Sequence, residues 1–282
     1  GLLVPMTGEN KDLGSSIIKA VSLAVKDINN DFIEIYPKDT ATRANQTLKS
    51  AFELKQMGIK IVIGPIFHES LTYLDEMKDL TFLSLTNKTL DLPENVISAG
   101  INSTSQFNTI KKFLDNNNLQ KTLFLTPIQN FEFEVKDGVK NSKIKVFKNF
   151  EYNTEPTKLT KQIEEITKYK IRKQNLADEI RRIQESNEPN KERKIKSLEK
   201  RYTIGNVNFD AVVISDFDES LKSVATSLLY TDVSPKNKYF ITLNQWFDES
   251  LMEETNIQPI YYPSINKENF DDYKIKYFNA FN

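Results

Sequence analysis

Short apolar runs alternate with segments of helical periodicity along most of this chain. An apolar run covers residues 2–6, and Ile17, Leu23, Ala24 and Ile28 follow it at the spacing of one helix face. Alternating strands and helices of this kind are typical of βα units, which build a parallel sheet covered by helices on both faces. The pattern therefore predicts an α/β fold.

The first part of the chain contains one series of such units. We predict strands at 2–6, 32–36, 60–63, 82–85 and 96–99. The helices between them include one built on Ala44, Leu48, Ala51 and Leu54, and a shorter one at 71–77. Gly58 stands where a helix is commonly closed by a residue with positive φ, so we expect the longer helix to end there.

A second series follows, with strands predicted at 122–125, 144–147, 211–214 and 239–242. Two sheets in series, in a chain of 282 residues, favour two α/β domains over one. The polar stretch 98–106 around Gly100 interrupts the pattern and marks the crossover. We assign 1–102 to the first lobe, 103–260 to the second, and 261–282 to a return into the first lobe that is incomplete.

One segment, 157–202, breaks this alternation. It holds 14 basic and 8 acidic residues. Apolar residues between Leu159 and Ile183 recur at spacings of three, four and seven, which predicts one amphipathic helix. The stretch 186–190 predicts a turn, and Ile195, Leu198 and Tyr202 suit a returning helix. The segment is thus predicted to be a helical hairpin in the second lobe. A solvent-exposed helix pair is favoured over a surface that binds an acidic partner, because charged residues on helices usually face water.

Composition narrows the function without naming it. The net charge is −1, so no overall field attracts nucleic acid, and no apolar run reaches the roughly 20 residues that span a bilayer. The absence of cysteine excludes disulfides and thiolate zinc sites. Because the chain begins directly in a predicted strand, we expect Gly1 to mark a trimmed start.

Candidate binding residues follow the strands, because ligands of open parallel sheets collect outside the carboxyl ends of the strands. The stretch 6–14 follows the first strand, and its glycines permit a tight loop before the helix. We expect such ends from both lobes to line a cleft. The candidates are Met6, Thr7, Phe67, His68, Glu69, Ser70, Thr86 and Asn87 in the first lobe, and Thr126, Asn130, Asp216, Asn244 and Trp246 in the second.

No catalytic constellation stands out. His68 is the only histidine, and a wall or capping role is favoured over catalysis because no nucleophile and orienting carboxylate accompany it at a recognisable spacing. A metal site lacks its usual ligands. The acidic residues at 216–220 and 247–250 are predicted to cap helices. Without a phosphate-binding loop, we predict no cofactor and no enzyme.

Several motifs resemble those of a known family. "GLLVPMTGENKDLGSSIIKAVSLAV" and "MGIKIVIGPIF" resemble the type I periplasmic binding proteins of the Leu/Ile/Val-receptor group. The chain is most similar to penicillin-binding-protein activators of the alphaproteobacterial type, through the "DT" at 39–40, "GP" at 64–65 with Phe67, "LTPIQNFE", and a helical hairpin before "FDAVVISDFDESLKSVATSLLYTDVSP".

This resemblance implies two Rossmann-like lobes around an interdomain cleft, with the helical hairpin inserted in the second lobe. It implies a periplasmic protein, lipoprotein-anchored or secreted, that either touches a peptidoglycan synthase or presents a small polar ligand such as an amino acid to a permease. The receptors hold the amino acid with small hydroxyl residues after the third and fourth strands, whereas Phe67–Glu69 and Thr86–Lys88 stand there in this chain. The hypothesis that the chain is an activator is therefore preferred to the hypothesis that it is a transport receptor. The family's closing helices are not found after Asn282.

Overall fold

The computed structural model of the chain describes residues 1–128, 132–244 and 249–281. The strands are β1 (Leu2–Val4), β2 (Pro37–Asp39), β3 (Ile61–Ile63), β4 (Thr81–Ser84), β5 (Val96–Ser98), β6 (Thr122–Pro127), β7 (Lys148–Tyr152), β8 (Ala211–Ile214), β9 (Tyr239–Thr242) and β10 (Ile260–Tyr261). The helices are α1 (Lys11–Ile28), α2 (Ala44–Gln56), α3 (Ser103–Asn116), α4 (Glu132–Ser142), α5 (Pro156–Ile166), α6 (Tyr169–Glu185), α7 (Lys191–Leu198), α8 (Asp218–Tyr230), α9 (Glu249–Glu253) and α10 (Lys267–Phe281).

The chain divides into two compact units. Unit 1 comprises Gly1–Ser105 and Ser264–Asn282, and unit 2 comprises Gln106–Pro263. Unit 1 contains a five-stranded sheet in the order β2-β1-β3-β4-β5, and unit 2 contains one in the order β10-β9-β8-β6-β7. All strand pairs in both sheets are parallel. The prediction of an α/β fold with two parallel sheets is confirmed.

Unit 2 shows how the strand periodicity builds two cores. Alternate residues of a strand point to opposite faces of its sheet. Accordingly, Leu123 and Leu125 of β6 lie in one buried cluster, which α5 and α8 complete. Phe124, between them, lies in the other cluster with residues of α3 and α4. Burial on both faces explains why β8 is entirely apolar in sequence and why the middle of β6 is a run of Leu, Phe and Leu.

Two strands lie later in the chain than the apolar runs that predicted them. The stretch 32–36 is not a strand, and Phe32 is 96% exposed. Instead β2 begins at Pro37, where Leu2 to Val4 pair with Pro37 to Asp39. In unit 2 the predicted strand at 144–147 is replaced by β7, because Ile144 packs in a core cluster while Leu123 pairs with Lys148. Pairing with the neighbouring strand, which sequence does not show, decided both positions.

The helix predicted at 71–77 is also wrong: two short 3₁₀ helices, His68–Leu71 and Leu74–Glu76, stand there. Leu71 and Leu74 are both buried in the unit 1 core. Leu71 ends the first of these helices and Leu74 begins the second, so each short helix contributes one leucine to the core. The predicted end of the second helix is confirmed, because α2 ends at Gln56 and Gly58 has a φ of +78°.

The segment 157–202 is three helices, so the prediction of one continuous first helix is wrong. Lys168 has a φ of +53°, which separates α5 from α6. Leu159 and Ile163 of α5 pack in the sheet core. The hairpin itself consists of α6 and α7, joined at 186–190 as predicted. Tyr202 lies beyond α7 and is exposed, so it does not belong to the returning helix.

Candidate functional site

The carboxyl ends of parallel strands meet at one edge of a sheet, so each unit has one edge where the predicted site residues converge. In unit 1 that edge follows Val4, Asp39, Ile63, Ser84 and Ser98. In unit 2 it carries the residues that follow β6, β7, β8 and β9.

Asp39 organises the loop after β1. The Thr7 hydroxyl donates a hydrogen bond of 2.5 Å to Asp39 Oδ2, and the backbone N–H groups of Met6 and Ala41 donate to Oδ1 at 2.7 and 2.8 Å. The Thr7 N–H adds a contact of 3.2 Å. Burial alone would raise the pKa of the Asp39 carboxyl, but the hydrogen bonds from Thr7, Ala41 and Met6 outweigh it and lower the pKa below 3.8. Both Met6 and Thr7 are exposed at this edge.

The opening loop is tight because α1 starts directly against the end of β1. A Cβ atom on Gly14 would lie 1.7 Å from the Pro5 carbonyl oxygen. Gly8, earlier in the loop, has a φ of +81°, a conformation that favours glycine. These two glycines allow the turn between strand and helix to bring Thr7 onto Asp39.

The loop after β4 is also closed by its own side chains. The Ser84 hydroxyl donates to the Pro65 carbonyl at 2.8 Å, and the Thr86 hydroxyl accepts from the Lys88 N–H at 3.2 Å. Ser84 and Thr86 are buried, whereas Asn87 is exposed. Of Ser84, Thr86 and Asn87, only Asn87 has a solvent-exposed side chain.

The 3₁₀ turn after β3 and the residue before it account for four of the predicted site residues. Phe67 precedes it and His68, Glu69 and Ser70 form it. His68 Nδ1 and Ser70 Oγ are buried atoms without a hydrogen-bond partner within the described part of the chain. Glu69 is exposed. A buried polar atom without a partner costs free energy and calls for an explanation, such as a water molecule or a ligand.

In unit 2, Tyr152 and Asp216 form a buried pair at the strand ends. Tyr152 is the last residue of β7, and its hydroxyl donates a hydrogen bond to Asp216 Oδ2. Asp216 Oδ1 accepts from the Phe217 N–H at 2.9 Å. Burial raises the pKa of the Asp216 carboxyl, and the hydrogen bonds from Tyr152 and Phe217 only partly oppose it. Burial, together with the charge of Asp216 and the hydrogen bond, raises the pKa of Tyr152.

The remaining polar groups of this edge are mostly satisfied within unit 2. The Thr242 hydroxyl donates to the carbonyl oxygens of Ile214 and Asp216 at 2.8 and 3.3 Å. The Asn244 N–H donates to Gln106 Oε1 at 2.8 Å. Thr126 is buried within β6. Ser215 Oγ, by contrast, is buried without a partner in the described residues.

Some predictions fall on residues that the structure does not describe. Asn130, Trp246 and the first part of 247–250 lie outside the described residues. The capping prediction for 216–220 is wrong for Asp216, which bonds to Tyr152, and the helix cap position is Phe217 without a side-chain cap. Asp218 and Glu219 do lie in the first turn of α8, where negative charge suits the helix dipole.

Sequence reasoning missed Tyr152 and Ser215 as site residues. Tyr152 was missed because the strand that carries it was placed too early, at 144–147. A polar residue directly after a buried strand was the available signal for Ser215, since it immediately follows β8. The hydrogen bond between Tyr152 and Asp216 could not be predicted from the sequence, because 64 positions separate the two residues in the chain.

The helical hairpin is anchored by a buried arginine. Arg172 of α6 donates through Nε to the Gly205 carbonyl at 3.1 Å, and through Nη1 to the Thr231 carbonyl at 2.9 Å. Its Nη2 donates to the Thr203 hydroxyl at 2.8 Å, and Asp232 lies 3.8 Å away. Burial lowers the pKa of Arg172, which the charge of Asp232 partly opposes. These contacts fix the base of the hairpin to the body of unit 2.

The far end of the hairpin is held by ion pairs. Glu188, in the turn, pairs with Arg182 of α6 at 3.0 Å and with Lys194 of α7 at 2.5 Å. Eight other basic residues of 157–202 have no carboxylate partner within the described residues: Lys161, Lys168, Lys173, Lys191, Arg193, Lys196, Lys200 and Arg201. The segment 157–202 therefore presents positive charge without carboxylate partners among the described residues, on helices that Arg172 anchors to the rest of unit 2.

Among the residues that the structure describes, neither a metal centre nor a membrane-spanning helix is found. Within the described ranges, no group of three or more His, Asp or Glu side chains is placed to hold a metal ion. None of the described helices combines the length and apolar character needed to cross a membrane.

Each unit has a parallel five-stranded sheet flanked by helices, and this α/β fold is similar to that of the type I periplasmic binding proteins. No family model and no curated protein matches the chain. Several solved structures do match the chain. The C-domain of LpoA (YraM) from Haemophilus influenzae, a regulator of PBP1A, aligns with a TM-score of 0.55 at 18% identity, covering 86% of this chain and 64% of that domain.

Full-length LpoA from the same organism gives a TM-score of 0.56 at 17% identity, over 86% of this chain and 38% of LpoA. An ABC-transporter solute-binding protein from Rhodopseudomonas palustris BisB5, in complex with 3,4-dihydroxybenzoic acid, gives a TM-score of 0.45 at 14% identity, over 100% and 73%. The chain thus spans less than two thirds of the LpoA C-domain and of LpoA. The resemblance stated from the sequence is confirmed, and these identities show the fold alone.

Proposed function

We propose that this chain is a non-enzymatic, periplasmic module that regulates peptidoglycan synthesis by contacting a peptidoglycan synthase. The observation that carries the proposal is that the two carboxylates which end or follow strands at these edges, Asp39 and Asp216, are already engaged. Asp39 accepts from Thr7, and Asp216 accepts from Tyr152. Neither carboxylate is left to hold the ammonium group of an amino acid. The fold shared with the LpoA C-domain, a regulator of PBP1A, agrees with this proposal.

The hairpin supplies a contact surface suited to this role. Residues 157–202 carry a net charge of +6, whereas the rest of the chain carries 24 basic and 31 acidic residues. Arg193 and Lys196 are exposed and three residues apart in α7, so they share one face of the helix, and the exposed Lys200 follows two residues after the helix ends. These three residues are called the basic stripe. Glu192 and Glu199 flank it, which suits the discrete carboxylates of a protein surface better than a continuous polyanion. We propose this stripe as the docking surface.

Binding to a purified synthase tests the proposal. The ectodomain of the bifunctional peptidoglycan synthase from the organism that encodes this chain is immobilised. Binding of the chain to it is then measured at low and high salt. We expect saturable binding that weakens as salt rises, because exposed charges are screened. Replacing Arg193, Lys196 and Lys200 with Glu is expected to weaken binding at least about tenfold. Absence of binding by the wild-type chain contradicts the proposed function.

A matched control separates the stripe from general charge effects. Lys112, Lys140 and Lys145 are exposed lysines elsewhere in unit 2 without an ion pair among the described residues. Replacing these three with Glu changes the net charge by the same amount. Binding that survives this change but not the stripe change supports docking through α7, and equal losses contradict it.

A second candidate function is solute capture. It is favoured by the unpartnered buried atoms His68 Nδ1 and Ser70 Oγ, which follow β3 where type I receptors bind ligand. A panel of amino acids and cell-wall fragments should then raise the melting temperature by mass action. A His68→Phe variant should abolish that rise. A panel without any shift leaves the regulator as the function that the observations support.

A further inference from the structure

A cavity lies at the opposite edge of the unit 2 sheet from the candidate site. Its volume is about 380 Å³, and its walls include Leu123 at the start of β6 and Phe209 shortly before β8. Ile166 and Val207 complete an apolar interior. These positions place the cavity at the amino ends of the strands. Its volume falls at the low end of the roughly 300–1,000 Å³ typical of small-molecule sites.

Two large apolar side chains of this cavity remain in contact with water. Phe147 is 44% exposed and Ile171 is 59% exposed, and both line the cavity. Covering apolar surface of this kind is favourable in proportion to the area removed from water. An occupant with an apolar body would therefore be stabilised both by the interior and by these two side chains.

The polar lining is positively charged. Lys148, Lys168 and Arg172 contribute to it, and no Asp or Glu does. Arg172 already donates hydrogen bonds to Gly205, Thr203 and Thr231 through Nε, Nη2 and Nη1. Lys148 and Lys168 are exposed and have no carboxylate partner among the residues that the structure describes. Two ammonium groups beside an apolar interior favour a ligand with one anionic end.

We propose that this cavity binds a small amphiphilic carboxylate, with its hydrocarbon part among Leu123, Val207 and Phe209 and its carboxylate between Lys148 and Lys168. The hydrocarbon part is an aryl or an alkyl chain. This site is independent of the proposed function and of the strand-end residues, since it lies at the other edge of the sheet. All its lining residues belong to unit 2.

Direct binding to the whole chain tests the proposal. Isothermal titration is performed with 3-phenylpropanoate and octanoate, and with their neutral amides, 3-phenylpropanamide and octanamide. We expect at least one carboxylate to bind with a Kd of about 1 mM or lower. Its amide should bind at least about tenfold more weakly, since it lacks the charge that the lysines attract. The aryl and alkyl arms show which hydrocarbon part fits.

Variants locate the binding. Lys148→Gln combined with Lys168→Asn removes both charges, and asparagine tolerates the positive φ of residue 168. We expect this pair to weaken carboxylate binding about tenfold or more and to leave amide binding unchanged. Lys161→Gln with Lys173→Asn is the matched control, because these exposed lysines do not line the cavity. The control should bind as the wild type does.

Blocking the mouth gives a second, charge-neutral variant. Ile171→Trp enlarges an exposed side chain of the lining and should abolish binding of both carboxylates. The proposal is overturned if neither carboxylate binds the wild type saturably, if amide and carboxylate bind equally, or if the control pair loses as much binding as the Lys148/Lys168 pair. The comparison of carboxylate with amide uses the wild-type chain, so it stands even where a variant fails to fold.

Discussion

The hydroxyl of Tyr152 donates a hydrogen bond to the carboxylate of Asp216, and both residues are buried. Tyr152 ends β7, and Asp216 follows β8 by two residues, with β6 between the two strands. The hydrogen bond therefore joins the outermost strand β7 to the central strand β8 across β6, at the carboxyl ends of the strands. Burial of Asp216 disfavours its ionised form and raises its pKa, and the hydrogen bond from Tyr152 partly opposes this effect by favouring the carboxylate.

Replacing Tyr152 with Phe leaves the Asp216 carboxylate buried without its hydroxyl partner. We expect a loss of roughly 1–3 kcal/mol in the free energy of unfolding at pH 7, measured by urea denaturation. Tyr202→Phe is the control, because Tyr202 is exposed and its variant should differ from wild type by less than about 0.5 kcal/mol.

The same variant has a pH signature. Burial raises the pKa of Asp216 in the folded protein above 3.8, so stability from this group is present at low pH and is lost as pH rises through the folded pKa. The Tyr152 hydrogen bond opposes that loss by favouring the ionised form. The gap between wild type and Tyr152→Phe should therefore shrink as pH falls towards about 4. A gap that is constant from pH 4 to 7 contradicts this assignment.

Asp39 has the opposite pH dependence. Its hydrogen bonds lower its folded pKa below 3.8, so its contribution to stability is present above that pH and is lost as pH falls through the folded pKa. Asp39→Asn should cost roughly 1 kcal/mol at pH 7, a modest value because the carboxylate is partly solvated. The difference from wild type should be constant above about pH 5 and should shrink in denaturation curves as pH falls below 3.8 towards the lowered folded pKa. Thr7→Ser retains the hydroxyl donor and should behave as wild type.

Arg172 is predicted to hold the hairpin to unit 2. Arg172→Met removes donors to Gly205, Thr231 and Thr203, so buried acceptors lose their partners. We expect a loss of about 3 kcal/mol or more, and faster amide hydrogen exchange in α6 and α7. Arg181→Met, at an exposed position of the same helix, is the control and should leave both measurements close to wild type. Unchanged exchange in the hairpin would show that other contacts anchor it.

Gly14 is predicted to tolerate no side chain. Alanine normally favours a helix over glycine by about 1 kcal/mol, yet a Cβ atom here would meet the Pro5 carbonyl oxygen at 1.7 Å. We therefore expect Gly14→Ala to lower the free energy of unfolding by roughly 2 kcal/mol or more. Ser15→Ala, the next residue and an exposed one, should stay within about 0.5 kcal/mol of wild type. A stabilised Gly14→Ala protein would show that α1 can move away from β1.

Local sequence patterns were sufficient to predict those elements whose conformation depends on their own residues and immediate neighbours. The apolar runs at 211–214 and 239–242 are β8 and β9 to the residue, because both are strands of the sheet interior and little but apolar side chains fits there. Gly58 marked the end of α2, since a positive φ is a property of that residue and its neighbours. The turn at 186–190 was visible for the same reason.

The candidate site was predictable in position but not in its contacts. Placing site residues after strands needs only the parallel topology, and Thr7, Thr86 and Asp216 do follow β1, β4 and β8. Which hydroxyl meets which carboxylate depends on strand order. In unit 2 that order places β6, the earliest strand, between β7 and β8. No local pattern records such an arrangement.

The sequence by itself determined the α/β class, the two sheets in series and the excess of basic residues in 157–202, because periodicity and composition are local properties of a chain. Only the tertiary structure decided that β2 and β7 begin later than their apolar runs, that Asp39 and Asp216 are already bonded to Thr7 and Tyr152, and that Arg172 anchors the hairpin. The physical reason is the same in each case. Strand register, burial and hydrogen-bond partnership join residues that are distant in the chain, and their energies exist only once the fold has brought them together.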